Sequence, residues 1–192
     1  NLAHLGEQIR GRLGDGSEWD TEILYSEEEQ ALETGGGIRQ ALPLLCSDPF
    51  LVINGDIWCD HPLHPPRMAR HDLAHLVLVD NPVHNPEGDF SLIDAAGFAG
   101  SSAWEGGKPG SQSGLHDHSE HRCPGASQNG IPGEGSQQAP RVRSKVNHGL
   151  TFAGIGWYRA ELFLSQPPGR FALAPLLREA MNDARVSGEH YK

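Results

Sequence analysis

Four consecutive apolar residues, Phe50, Leu51, Val52 and Ile53, run directly into Asn54-Gly55-Asp56. A short apolar run bounded by turn residues reads as a strand buried on both faces, the kind found inside a parallel sheet. Asp56 then stands at the strand's C-terminal end. In open α/β sheets ligands bind outside that rim, and a carboxylate there can hold a divalent cation against phosphate oxygens. The competing assignment is a loop aspartate that caps the next turn. Gly55 leaves room for close approach to the backbone, and the Asn54 amide offers both a donor and an acceptor.

The rest of the chain supplies elements to surround that strand. Leu2, Leu5, Ile9 and Leu13 recur at helical spacing and are stopped by Gly14-Asp15-Gly16, which predicts a surface helix docking one apolar face. Thr21 to Tyr25 reads as a short strand, followed by a polar loop whose Glu27, Glu28 and Glu29 are by default a solvated surface. Gly35-Gly36-Gly37 leads into an amphipathic stretch through Ile38, Ala41, Leu42 and Leu45. Free N–H groups at such a helix start can bind anions, but no Lys-Ser/Thr follows to make a phosphate loop. Leu73–Val79 and Asp89–Ile93 read as further strands, and Leu150–Tyr158 alternates as a strand. Phe171–Met181 reads as a helix with Pro175 in its first turn. This order predicts an α/β fold, an incomplete doubly wound, Rossmann-like and mostly parallel sheet.

Between residues 95 and 148 the character changes. The chain holds 24 glycines and 14 prolines, with 37% hydrophobic residues, and this stretch concentrates the imbalance. Scarce, unpatterned apolar residues cannot offset the entropy of ordering, so it reads as a disordered, low-complexity insertion. Residues 1–94 and 149–192 then form two parts of one domain. Within the insertion, His116, His118, His121 and Cys123 tempt a zinc assignment, yet their spacing matches no common finger. A net charge of -10 disfavours nucleic-acid binding. Three scattered cysteines and the lack of a membrane-length apolar run point to a cytoplasmic setting without a membrane partner.

Several segments in register resemble the sugar-1-phosphate nucleotidyltransferases. They are Asn1-Leu-Ala-His-Leu-Gly-Glu-Gln-Ile, Leu32-Glu-Thr-Gly-Gly-Gly-Ile, Asn54-Gly-Asp-Ile-Trp, Ala74-His-Leu-Val-Leu-Val-Asp-Asn-Pro, Gly88-Asp-Phe, Leu173-Ala-Pro-Leu-Leu-Arg and Ser187-Gly-Glu-His-Tyr. The similarity covers residues 1–93 and 149–191 and is strongest to the branch that uridylylates muramate.

That resemblance implies an enzyme making a UDP-sugar and pyrophosphate from UTP, or another nucleoside triphosphate, and a sugar 1-phosphate. The favoured sugar is N-acetylmuramate 1-phosphate, in cell-wall recycling. It implies Mg²⁺, with Asp56 as its ligand and catalytic residue. Asn54, Gly88 and Asp89 would contact the sugar, and Glu28, Thr34 and Gly35 the base. It also implies a strand with a basic glycine-rich loop at the start and a second metal-binding aspartate after Ser187–Tyr191. Neither has a counterpart here, so a chain truncated at both ends, without turnover, is expected. The alternatives are a mannose-1-phosphate guanylyltransferase on the same fold and a non-catalytic homologue that only binds sugar phosphates.

Overall fold

A computed structural model of the chain describes residues 1–93, 139–144 and 149–192. In chain order the elements are α1 (Gly6–Leu13), α2 (Glu33–Ala41), β1 (Phe50–Ile53), β2 (Ala74–Val79) and β3 (Phe90–Ile93). There follow β4 (Arg141–Ser144), β5 (Thr151–Tyr158), α3 (Glu161–Leu164), α4 (Leu173–Asn182) and β6 (Val186–His190). Apart from residues 139–144, the expected disordered insertion and its His116, His118, His121 and Cys123 cluster lie outside the described residues.

The six strands form one sheet in the order β1-β5-β2-β6-β4-β3. The α/β class is borne out, and the strand directions correct the expectation of a mostly parallel sheet. Among the described strands only the β2–β6 ladder is parallel; β1–β5, β2–β5, β3–β4 and β4–β6 are antiparallel. An apolar run reports cover on both faces and carries no information about direction. β2, buried from Ala74 to Leu78, fits the interior position read from its sequence. β1 does not: it is an edge strand in which Phe50 is buried, Leu51 and Val52 are half-buried and Ile53 is exposed.

Directions also decide where ligands can gather. β1 and β2 both run antiparallel to β5, and β6 runs parallel to β2. The C-terminal ends of β1, β2 and β6 therefore share one rim with the start of β5.

The two faces of the sheet are covered differently. Ala74, Leu76 and Leu78 of β2 point into the main core with Val186, Val142 and Tyr158. Against them pack Ile38 of α2, Leu162 and Phe163 of α3, and the apolar stripe of α4, which presents Leu173, Leu176, Leu177, Ala180 and Met181. That stripe has the helical spacing that built the expectation for 171–181. On the opposite face Val77, Ile155 and Trp157 are covered by Ile57, Leu63 and Met68, from the irregular segment between β1 and β2, and by Tyr191.

Three local expectations are corrected. The stripe on α1 docks against none of the described residues: Leu5, Ile9 and Leu13 are exposed, and Leu2, just before the helix, is buried. The α1 region is instead held by a bridge between Leu2 and Glu27, by the Arg10–Glu27 ion pair and by Arg10 stacked 4.9 Å over the Tyr25 ring. Thr21–Tyr25 is irregular and has no strand partner among the described residues. Arg141–Ser144, assigned from sequence to the insertion, is β4, with Val142 in the main core and Arg141 paired to Asp72. Two arginines in a four-residue element hide a strand whose place is fixed by an ion-pair partner 69 residues away.

Candidate active site at the carboxyl rim of the sheet

The Asn54-Gly55-Asp56 turn is set by a glycine on the neighbouring strand. Gly154 interrupts the β2–β5 register, which shifts between Leu76 and Leu78, and has a φ of +73°. A Cβ on it would meet Asn54 Nδ2 at 2.9 Å and Ile57 at 3.0 Å. Bulges of this kind re-aim the chain beside active sites. The Asn54 N–H donates to the Gly154 carbonyl (2.9 Å), and Ile57 N–H closes the turn onto the Asn54 carbonyl (3.2 Å). Ile57 is thereby pressed onto the second face, while Asn54, Gly55 and Asp56 stand exposed at the tip.

The loop after β2 brings the other sugar-side candidates to the same end of β5. Asn81 Nδ2 donates to the carbonyls of Pro86 (3.0 Å) and Gly149 (2.8 Å), and its Oδ1 accepts from Thr151 Oγ1 (2.9 Å). Asn85 Nδ2 donates to Asp89 Oδ1 (3.1 Å), and Phe152 N–H donates to Asp89 Oδ2 (2.9 Å). Asp89 thus leans on Phe152, and Asn54 on Gly154, two residues along one strand and roughly 7 Å apart by strand geometry. Gly88 is buried, with a φ of +70° and a Cβ position 2.6 Å from the Gly149 carbonyl carbon. It shapes the loop that presents Asp89. Sequence reading missed Asn81, Asn85 and Thr151; the Asn81-Pro82 and Asn85-Pro86 pairs were the available signal for a built turn.

The base-side candidates belong to α2 and the loop before it. Glu28 accepts from Asn1 Nδ2 (3.0 Å) and from the Leu32 N–H (2.8 Å), so both its oxygens are engaged by the chain itself. The three glycines lie inside α2 rather than before it, and each meets a different neighbour. A Cβ would fall 2.6 Å from the Phe171 ring at Gly35, 2.2 Å from the Gly169 carbonyl oxygen at Gly36, and 2.6 Å from Glu28 Oε1 at Gly37. Thr34 is exposed. Among the described residues, no hydrogen bond or ion pair joins Glu28 or Thr34 to Asp56 or Asp89.

Beneath the rim lies a buried histidine pair. The Leu63 N–H donates to His61 Nδ1 (3.0 Å), which leaves the neutral ring's proton on Nε2, facing Glu189 Oε1 at 3.0 Å. His75 sets Nδ1 against Ser187 Oγ (3.0 Å), while its Nε2 is buried without a hydrogen-bond partner among the described residues, 3.9 Å from Glu189 Oε1. Burial lowers the His75 pKa, and the nearby Glu189 and Asp72 carboxylates only partly oppose that. The sole signal for this residue was a titratable side chain within an otherwise apolar strand. At the rim itself, His190 Nε2 pairs with Asp80 Oδ1 at 2.9 Å.

Asp56 makes no hydrogen bond or ion pair with another described residue. Among those residues no three His, Cys, Asp or Glu side chains converge as a metal cage. A lone exposed carboxylate fits Mg²⁺, which commonly takes one or two carboxylates and completes its octahedron with water and substrate phosphate. Nor is any described helix long and apolar enough to cross a membrane.

Comparison with known proteins finds relatives of the chain and of its fold. No family profile matches the chain. It is 40% identical over 200 residues to the N-acetylmuramate alpha-1-phosphate uridylyltransferase of Neisseria meningitidis serogroup B, covering 100% of this chain and 68% of that protein. A 40-residue stretch is 52% identical to the protein of that name from Caulobacter vibrioides, covering 20% of this chain and 16% of that one. Two solved structures share the fold. A putative glucose-1-phosphate thymidylyltransferase from Bacillus anthracis has a TM-score of 0.54 at 11% identity, covering 97% of this chain and 63% of that one. The inositol-1-phosphate CTP transferase from T. maritima has 0.50 at 13% identity, covering 97% and 61%. The chain spans about two thirds of these proteins' lengths. With an α/β sheet of that kind, and 40% identity along its whole length to a named relative, it belongs to the N-acetylmuramate α-1-phosphate uridylyltransferase family of sugar-1-phosphate nucleotidyltransferases.

Proposed function

We propose that this chain carries the sugar-phosphate side of a uridylyltransferase that joins UTP to N-acetylmuramate 1-phosphate, giving a UDP-sugar and pyrophosphate. The observation that carries the reading is the free Asp56 carboxylate, projecting from a turn locked onto Gly154 at the rim where β1, β2 and β6 end. In the reaction a sugar phosphate oxygen attacks the α-phosphorus of UTP, and the bond to pyrophosphate breaks. Such chemistry asks the protein to position the reactants and neutralise charge.

Mg²⁺ bound at Asp56 would supply that neutralisation. Asn54 stands on the same turn to meet the sugar, and Asp89, held by the Phe152 N–H two residues before Gly154, would meet it from the loop before β3. Gly88 holds the Asp89 loop in place. Glu28, Thr34 and Gly35 are assigned to the base side, where Glu28 would accept the uracil N3–H in exchange for one of its present partners. A UTP-consuming step and a muramate product fit a cytoplasmic role in cell-wall sugar recycling.

Titration of the chain with UTP, GTP and N-acetylmuramate 1-phosphate, with and without Mg²⁺, tests this. UTP is expected to bind only with Mg²⁺, and Asp56→Ala to weaken it by about tenfold or more without changing the thermal midpoint. Binding of GTP in preference to UTP would replace the reading with a guanylyltransferase. Sugar phosphate binding with no nucleotide binding would make the chain a sugar-phosphate-binding homologue.

A further inference from the structure

The segment that leaves Asp56 has no ladder of its own to hold it. Among the described residues, no backbone N–H from Trp58 to Arg67 donates to a backbone carbonyl. Its apolar anchors are Ile57, Leu63 and Met68, which pack on the second face of the sheet. Two polar anchors, four and five residues beyond Asp56, both reach the end of β6. The Tyr191 hydroxyl donates to Asp60 Oδ1 (2.8 Å), and His61 Nε2 donates to Glu189 Oε1 (3.0 Å). The Leu63 N–H holds His61 Nδ1 (3.0 Å), and the His61 and Tyr191 rings meet at 4.8 Å and 70°.

β6 is a firm base for such a clamp. It lies inside the sheet between β2 and β4, with Glu189 in register with the fully buried Val77. The Tyr191 N–H extends that pairing to the Leu78 carbonyl (2.8 Å). Side chains two residues apart leave a strand on one face, so Glu189 and Tyr191 reach the segment from the same side. His61 is buried and Glu189 half-buried, so a ring N–H meets a carboxylate where water is partly excluded. Hydrogen bonds to a charged acceptor are the stronger kind. His75 Nε2, 3.9 Å from the same oxygen, is too distant to take His61's place.

Mg²⁺ asks for near-ideal octahedral geometry, and the groups behind a metal ligand commonly set its orientation. Asp56 has no such partner of its own among the described residues. Its turn is held by the Gly154 contact on one side and by the Asp60–His61 clamp on the other. Resting on the function proposed above, we propose that Glu189, acting through His61, is a positioning residue for Asp56, and that Tyr191, acting through Asp60, is the second point of hold.

The test uses the intact chain and its Glu189→Ala, Glu189→Gln and Tyr191→Phe variants, with Leu177→Val, in the main core, as a stability control. Amide exchange at Ile57 and Leu63 is followed by NMR without ligand, and Mg²⁺-dependent UTP binding by calorimetry. Glu189→Ala is expected to speed exchange at both amides and to weaken Mg²⁺-dependent binding, each by roughly tenfold. Glu189→Gln keeps an oxygen that accepts from His61 and should restore most of both readouts. Tyr191→Phe loses only the Asp60 bond and should shift both in the same direction by less. Leu177→Val should lower the thermal midpoint and move neither. Parental UTP binding in Glu189→Ala overturns the inference and leaves the proposed function standing, and so does weakened binding with unchanged exchange. A Glu189→Gln variant as weak as Glu189→Ala overturns it too, because the charge of Glu189 would then matter and its hold on His61 would not. A parent chain that binds no UTP with Mg²⁺ defeats the proposed function, and the inference falls with it.

Discussion

Gly36 on α2 is seated so closely beneath Gly169 that a Cβ on it would lie 2.2 Å from the Gly169 carbonyl oxygen. The atom it would meet is backbone, in a segment that Phe171 ties back to α2 through the Gly36 N–H (3.0 Å), so the neighbour has little freedom to yield. The glycine run is therefore explained by packing on three sides. Its role in admitting a ligand remains part of the proposed function.

This fixes the sign of a pair of substitutions. Alanine is favoured over glycine in a helix interior by about 1 kcal/mol, whereas overpacking costs about 1–3 kcal/mol. Gly36→Ala should therefore be destabilised, by up to about 2 kcal/mol net, since the clash is with backbone. Gly11, in α1, has nothing within 4 Å of its Cβ position, and Gly11→Ala should stabilise by about 0.5–1 kcal/mol. Urea melts of the two variants check both signs; a stabilised Gly36→Ala would contradict the packing.

The buried His75 makes stability depend on pH. Glu189, Ser187, Asp72, His61 and Trp157 surround it, and burial is the strongest influence, lowering its pKa below the ordinary histidine value of about 6.5. A histidine kept neutral in the fold binds fewer protons than in the unfolded chain. Its contribution is present above about pH 6.5 and lost as pH falls through that value toward the depressed folded one. Thermal midpoints recorded from pH 7.5 to pH 5 should fall on acidification. His75→Gln should flatten that slope relative to the parent, and an unchanged slope would remove His75 as the cause.

The Asp72–Arg141 pair anchors β4 beside the base of β2. Both side chains are buried, Asp72 also accepts the Ala69 N–H at 2.9 Å, and Arg141 lies 3.1 Å from His71 Nε2. Removing one partner leaves an uncompensated buried charge, so Arg141→Met should cost about 3–5 kcal/mol. Replacing both partners, as in Asp72→Asn with Arg141→Met, should recover much of that loss. A double variant no better than Arg141→Met in chemical denaturation would mean that the charge is not what anchors the strand.

Much of this fold was legible in the chain. β1, β2, β3 and α4 stand where apolar runs and helical spacing placed them, because burial is written locally as period and composition. The rim position of Asp56 was legible too, since Asn-Gly-Asp after an apolar run ends a strand wherever that strand lies. The resemblance carried by those motifs agrees with the relative that is 40% identical.

What the residues could not show were the relations between distant segments. An apolar run looks alike in a parallel or an antiparallel neighbourhood, so strand direction and the edge position of β1 depended on how β5 returns. Arg141 makes a strand residue only because Asp72 waits for it, and the His75 pKa is lowered because tertiary packing buries its ring, against the opposing pull of Glu189. The Gly154 bulge, which aims Asn54 and frees Asp56, exists in the pairing of two strands and in neither alone. Sequence by itself determined which segments are buried and which carboxylate ends a strand. Tertiary structure decided direction, pairing and charge environment, because these are sums over contacts that no single segment contains.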